Sequence, residues 1–147
     1  LCFALGFAFG IPPLLLLVQN TTMLGAILWL FSGQGLTLEL AAWLSVHGTT
    51  EIFGILLSGA AGLHIGRSMA FPGQRPVLAA ASEAGQRGAV VMVGVVIMMI
   101  VAAILEAFPR QLVDGTGPRF LIGGSMLAFW LAYFFLYRPK RLPEDSA

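Results

Sequence analysis

Long apolar runs, separated by short breaks with polar or proline residues, dominate the chain up to about residue 137. A helix of about 20 apolar residues is long enough to cross the hydrocarbon core of a bilayer. The pattern therefore predicts an all-α fold, a polytopic transmembrane helical bundle with four to five membrane segments, one of them re-entrant or broken. We expect residues 1–138 to form a single transmembrane domain and residues 139–147 to form a polar cytoplasmic tail.

The N-terminal apolar segment covers residues 1–18 and contains two adjacent prolines. Pro12 and Pro13 are expected to kink or break a spanning helix there. The polar stretch at residues 19–22 then predicts a break, where the side chain of Asn20 is placed to cap the next helix. Because the chain starts inside an apolar run, we expect it to be the C-terminal part of a longer protein.

Two apolar runs, at residues 23–31 and 36–46, are separated by Ser-Gly-Gln-Gly. Each run is too short to cross a bilayer alone. A re-entrant helical pair and one long irregular crossing both fit this pattern, and we favour the pair. Such interrupted segments persist in a membrane only when they are buried in protein or line a cavity.

The second half of the chain divides into three predicted spans. Residues 47–71 form a central helix that ends at Pro72. A short surface helix at residues 77–84 is expected to begin after Pro76 and to end at Gly85. The two remaining spans are predicted at residues 88–108 and 119–137, with a turn at 109–118 between them.

Composition and charge place the chain in the membrane and orient it. Charged residues make up 10% of the sequence and hydrophobic residues 58%, whereas a soluble domain carries about 25% charged residues. Six basic residues lie in or beside the 72–87 loop and in the tail, against two around the 109–118 turn. By the positive-inside rule, the C-terminus is cytoplasmic in the cell membrane. The lipid bilayer is thus an expected partner, and the net charge of +1 gives no reason to expect nucleic acid.

Three ionisable residues are expected to meet near the outer end of the bundle. His47 and Glu51 are four residues apart, which makes them neighbours on one helix face. Alternating spans bring Glu106 to a similar depth, and carboxylates inside a membrane turn inward to find hydrogen-bond donors. We predict one cluster of His47, Glu51 and Glu106, with Asn20 and the amides at the start of the central helix as further donors.

Three chemical roles can be considered for this cluster. Imidazole and carboxylates suit zinc, but the spacing is not the His-Glu-x-x-His pattern of zinc proteases, so no metal site is predicted. A proton relay stays open because histidine titrates near neutral pH. A hydrogen-bonded knot that locks two helices together is favoured. The sequence shows no nucleophile elbow and no phosphate-binding loop, so neither a catalytic residue nor a cofactor is predicted.

Small residues follow the histidine and glutamate along the same helix stripe. Small residues four apart allow two membrane helices to approach closely. Packing within the chain is favoured over association between copies, although a homo-oligomer stays open. The stripe consists of Gly54, Ser58, Gly62 and Gly66.

Three stretches resemble the stage II sporulation protein M family of bacterial and archaeal membrane proteins. They are QNTTMLGAI at 19–27, VHGTTEIFGILLSGAAGLHIG at 46–66 and AAILEAF at 102–108. The chain departs from the family pattern at Val46, where proline is frequent, and at Thr21, where glycine is frequent. The positions that match the family pattern are Asn20, His47, Gly48, Glu51, Gly62, Gly66 and Glu106.

The resemblance implies a membrane anchor, because the namesake of the family joins peptidoglycan-degrading partners during engulfment in spore-formers. We therefore predict a non-enzymatic integral membrane scaffold that recruits other membrane or peptidoglycan-associated proteins. The alternative is a permease or proton-coupled channel subunit that uses the cluster of His47, Glu51 and Glu106. An intramembrane hydrolase is a third hypothesis.

Overall fold

The computed structural model describes residues 1–137, which form α-helices and one π-helical turn and contain no strand. Four of the helices are long and apolar enough to cross a membrane. The predicted all-α transmembrane bundle is therefore confirmed, with four spanning helices. The tail predicted at 139–147 lies outside the described residues.

Every other helix of the described chain contacts the third one, which is the centre of the bundle. Its 34 residues extend about 51 Å at 1.5 Å per residue, well beyond a hydrocarbon core of roughly 30 Å. The helices are α1 (Cys2–Leu5), α2 (Ile11–Ser32), α3 (Thr37–Ala70), α4 (Val77–Ala107), α5 (Pro109–Leu112) and α6 (Thr116–Leu131), with the π-helical turn at Ala132–Leu136.

The spanning helices alternate in direction around α3. Gly123 of α6 lies against Ser45 and Trp130 lies against Thr50, so α6 runs parallel to α3. Contacts with α2 and α4 progress in the opposite order along α3, which makes both helices antiparallel to it. The start of α3, the end of α4 and the start of α6 therefore lie at one end of the bundle.

Residues 1–18 do not form the predicted spanning helix. The short helix α1 ends early, and Pro12 and Pro13 occupy the first turn of α2. Proline suits this turn because the N–H it lacks would have no partner there. Phe9 and Gly10 have left-handed backbone conformations, which turn the chain between the two helices. The broken part of the bundle is thus at its N-terminus.

The predicted re-entrant pair is wrong, and so is the single irregular crossing, because residues 19–22 do not interrupt a helix. Asn20 Nδ2 and Thr21 Oγ1 each donate to the carbonyl four residues earlier in α2, at 2.8 and 2.9 Å. These bonds satisfy the side chains inside the helix, so Asn20 is not a helix cap. The run at 23–31 completes α2, and the run at 36–46 begins α3.

The long helices also extend past other predicted boundaries. Because α3 begins at Thr37, His47 does not lie at a helix start, and the first amides of α3 are not beside Glu51. A short helix was predicted to end at Gly85, but α4 continues through it, and the ring of Phe7 lies against that glycine. The turn predicted at 109–118 contains α5 and the first residues of α6.

Two pairs of glycines bring the N-terminal segment into backbone contact with α3. Gly6 lies against Gly62, and Gly10 lies against Gly66, so a Cβ on either α3 glycine would meet backbone atoms. Gly6 and Gly10 are four residues apart, and so are Gly62 and Gly66, which is the spacing that permits close approach of membrane segments. Gly10 also has a φ of 78°, which a residue with a side chain adopts only with strain.

The N-terminal segment packs on α4 as well. The ring of Phe3 lies against Gly88 and the ring of Phe7 against Gly85, which are about one helical turn apart on α4. Residues 1–10 are therefore wedged between two helices, with backbone contacts on α3 and aromatic contacts on α4.

We expect Gly62→Leu to lower the thermal unfolding midpoint, because its side chain would meet the Cys2 carbonyl and the Pro13 ring. Overpacking of this kind costs about 1–3 kcal/mol or more. Gly94→Leu is the matched control, since nothing lies within 4 Å of a Cβ there. Circular dichroism in detergent gives the midpoint, and size-exclusion chromatography gives the oligomeric state. Equal midpoints for the two variants would contradict the close contact.

Candidate functional site

His47 lies inside the bundle, on the middle part of α3. Its residue surface is 4% exposed, and its ring meets Trp43 edge-on with 5.6 Å between ring centroids. The Nδ1 atom is buried and has no hydrogen-bond partner within residues 1–137. A buried polar atom without a partner costs about 1–3 kcal/mol. This nitrogen is therefore a point where one further hydrogen bond would stabilise the protein.

Glu51 lies one turn further along α3 and faces a different surface. It is half-buried and lines a groove of about 430 Å³ between α2 and α3. Most of the groove wall is aliphatic, and its polar members besides Glu51 are Asn20 and Thr21. A carboxylate between membrane helices is costly unless it has a hydrogen-bond donor. Glu51 is therefore the chemically distinctive group of this groove.

The structure brings together three of the residues singled out from the sequence. Asn20, Gly48 and Glu51 all line the groove, and His47 is not among its lining residues. No hydrogen bond joins His47 to Glu51 in the described part of the chain. Glu106 is half-buried in the last turn of α4. Its meeting with His47 and Glu51 stays a prediction.

Metal binding was not predicted at this cluster. Within residues 1–137, no group of three His, Cys, Asp or Glu side chains is placed to hold a metal ion. What the site presents chemically is a set of hydrogen-bonding groups in an apolar setting.

The predicted stripe of small residues contacts two different neighbours. Gly54 lies against the Met99 side chain of α4, whereas Gly62 and Gly66 lie against the N-terminal segment. Ser58 Oγ donates to the Gly54 carbonyl of its own helix at 2.8 Å. The three glycines of the stripe therefore contact other parts of the same chain.

A buried hydrogen bond that the sequence did not reveal joins α3 to α6. Trp130 Nε1 donates to Thr50 Oγ1 at 2.9 Å, and Thr50 is fully buried. Beyond this bond, the rings of Phe53 and Phe134 stack with 5.7 Å between centroids. The bonded residues are 80 positions apart, so no local spacing could have indicated the pair.

Other close contacts were not predicted from the sequence either, although the spacing of the glycines could have indicated one of them. Gly6 and Gly10 have the same four-residue spacing as the glycines they meet on α3, and that repeat could have paired the two segments. Gly59, which lies against Leu17, and Gly123, which lies against α3, have no comparable repeat.

Four membrane-spanning helices, three of them packed around α3, define an integral membrane protein of the helical-bundle class. Residues 1–109 match the family model described as Stage II sporulation protein M, and the chain belongs to that family. The resemblance inferred from the three sequence stretches is thus confirmed. The matched range includes α1 to α4, so α6 with Trp130 lies beyond it, whereas Thr50 lies within it. No curated protein and no solved structure matches the chain significantly.

We expect Thr50→Val and Trp130→Phe to be coupled in a double-mutant cycle. Either change alone leaves a buried polar group unpaired, whereas both together remove the pair. The coupling free energy should be about 0.5–1.5 kcal/mol, as for hydrogen bonds between membrane helices. Unfolding in mixed detergent micelles measures it.

The control cycle combines Thr50→Val with Ser125→Ala, because Ser125 donates to the Leu121 carbonyl of its own helix. The effects of these two changes should add. A coupling near zero in the main cycle would show that the Trp130–Thr50 bond contributes nothing to stability.

Proposed function

We propose that this protein is a non-enzymatic scaffold of the cell membrane that recruits other membrane or peptidoglycan-associated proteins. Its four long helices cross the membrane in alternating directions, with the C-terminus in the cytoplasm. Membership of the Stage II sporulation protein M family and the shape of the membrane-embedded surface support this proposal.

The observation that carries the proposal is the groove between α2 and α3, with Glu51 in its wall. Among the residues of α2, all of which the structure describes, Pro13 alone is buried. Most of the α2 surface is therefore open to lipid or to a partner. Such a helix, beside a groove of about 430 Å³, offers a surface on which another spanning helix can lie.

The polar groups of the groove indicate the chemistry of the occupant. Thr21 Oγ1 donates its proton to a carbonyl of α2, and Asn20 Nδ2 uses one of its two N–H groups within α2. No group within residues 1–137 donates a hydrogen bond to Glu51. Glu51 in its ionised form only accepts hydrogen bonds. A lipid chain cannot satisfy it, whereas an Asn, Gln, Arg or Lys side chain on a partner helix can. We therefore infer that the occupant is a spanning helix that carries such a donor.

The test is site-specific photo-crosslinking in the living cells that produce the protein. A photoreactive residue at Ile27, which lines the groove, should crosslink to a membrane-spanning protein. The same residue at Leu30, an exposed α2 position outside the groove, is the matched control. Glu51→Ala should reduce the Ile27 adduct at least about tenfold, because the donor on the partner helix would lose its acceptor in an apolar setting, at a cost of about 1–3 kcal/mol. Glu39→Ala, a change at an exposed glutamate near the start of α3, should leave it unchanged.

Several outcomes would contradict recruitment through the groove. They are equal crosslinking from Ile27 and Leu30, an adduct that does not depend on Glu51, and an adduct made only of two copies of this chain. The last result would assign the groove to a homo-oligomer instead.

The proposed orientation follows from the distribution of basic residues. On a Cys2→Ser background, a cysteine at Gln74, between α3 and α4, should react with a membrane-impermeant maleimide only after the cells are permeabilised. A cysteine at Asp114, between α5 and α6, should react in intact cells. The reverse pattern would invert the orientation, and labelling of both sites in intact cells would contradict alternating spans.

A second candidate, a permease or proton-coupled channel subunit, is favoured by the unpartnered Nδ1 of His47, which lies one turn from Glu51. Protonation of that nitrogen would create a donor inside the bundle. In liposomes with an internal pH-sensitive dye, this candidate predicts a proton flux that His47→Gln removes. Vesicles as proton-tight as protein-free ones would favour the scaffold.

A further inference from the structure

A polar cavity lies at the end of the bundle where a loop joins α3 to α4, away from Glu51 in the middle of α3. Its volume is about 190 Å³, the space of several water molecules at about 30 Å³ each. Arginines are the basic side chains in its wall. The polar residues that line it are His64, Ser68, Arg75, Glu83 and Arg87.

The carboxylate of Glu83 accepts hydrogen bonds from both Arg75 and Arg87. Arg75 Nη1 donates to one oxygen of Glu83, and Arg87 Nη2 donates to the other at 2.7 Å. The three side chains carry a net positive charge. A guanidinium has several N–H donors, so each arginine keeps others for an anion. The arginine side chains are 64% and 71% exposed, which leaves them accessible from solvent.

An apolar groove continues from this cavity between α3 and α4. Its volume is about 250 Å³, and it shares His64 and Arg87 with the polar cavity. The remaining wall is made of small and aliphatic residues, among them Leu57, Ala60 and Val91. One concave path therefore begins at charged groups and ends at purely apolar ones.

The depth of this path in the bilayer follows from the sequence of α4. Arg87 is the last charged residue before residues 88–105, which contain no charge. The membrane boundary thus falls near Arg87. The polar cavity lies at the level of lipid headgroups, and the apolar groove lies at the level of acyl chains.

We propose that the cavity and the groove together bind one anionic phospholipid. Its phosphate contacts Arg75 and Arg87, which suit the planar two-point recognition of phosphate oxygens, and an acyl chain lies along Ala60 and Val91. Basic pockets between membrane helices are suited to anionic headgroups. The site shares no lining residue with the groove beside Glu51, so it stands apart from the recruitment groove.

The test is native mass spectrometry of the full chain, purified in a mild detergent and titrated with phosphatidylglycerol or phosphatidylcholine. Phosphatidylglycerol should bind more tightly. Arg87→Gln should weaken its binding about fivefold, as should Arg75→Gln, since each basic residue contributes about that factor near an anionic surface. Arg67→Gln is the matched control, because Arg67 is exposed at the same end but lines neither cavity. Exposed ion pairs contribute little stability, and thermal midpoints verify that the variants fold.

A second arm separates a lipid from a free phosphate. Ala60→Trp fills the apolar groove and should weaken binding of phosphatidylglycerol but not of glycerol phosphate. Ala89→Trp, on the exposed surface of α4 outside the groove, should change neither. Three outcomes would overturn the proposal: no preference for phosphatidylglycerol over phosphatidylcholine, an equal loss in Arg67→Gln, or lipid binding that Ala60→Trp leaves unchanged.

Discussion

The backbone contact between Gly6 and Gly62, continued by Gly10 and Gly66, determines how the rest of the bundle can be arranged. Because neither side has a Cβ, the N-terminal segment enters the space between α3 and α4. That position fixes where α2 starts and holds its first turn against α3 through Pro13. Further along, the groove beside Glu51 lies between α2 and α3. The close contact is thus at one end of this helix pair, and the open surface is at the other.

Hydropathy was sufficient to predict a helical membrane protein with four to five membrane segments, but it misplaced the spans of the first 46 residues and several helix ends. In water, a stretch such as residues 19–22 or a glycine such as Gly85 often ends a helix. In the bilayer there is no water to accept the freed backbone groups, so α2 continues through residues 19–22. At the headgroup level, α4 continues through Gly85, where the ring of Phe7 packs against it. Asn20 and Thr21 even use helix carbonyls as acceptors. Sequence alone could not show whether Pro12 and Pro13 interrupt a helix or start one.

The candidate site was predictable only in part, because helical spacing gives relative directions and not the identity of the neighbour. His47 and Glu51 differ by about 40° around α3 at 100° per residue. With other helices packed around α3, that angle is enough to bury one residue and to place the other in the groove. The family pattern indicated candidate positions but not what they contact. The bond from Trp130 to Thr50 depends on tertiary packing between distant residues, so no sequence rule would supply it.

The unequal polarity of α2 and α3 has a consequence for biosynthesis. Most residues of α2 are apolar. Carbonyls of the same helix accept hydrogen bonds from three of its polar side chains, those of Asn20, Thr21 and Ser32. It can therefore leave the translocon and remain in lipid before the helix it packs on has been made. Because α3 carries His47, Glu51 and Thr50, its insertion alone is more costly. A short loop connects it to the strongly apolar α4, so we expect α3 and α4 to enter the bilayer together as a helical hairpin. This hairpin would then pack against α2, which is already in the bilayer.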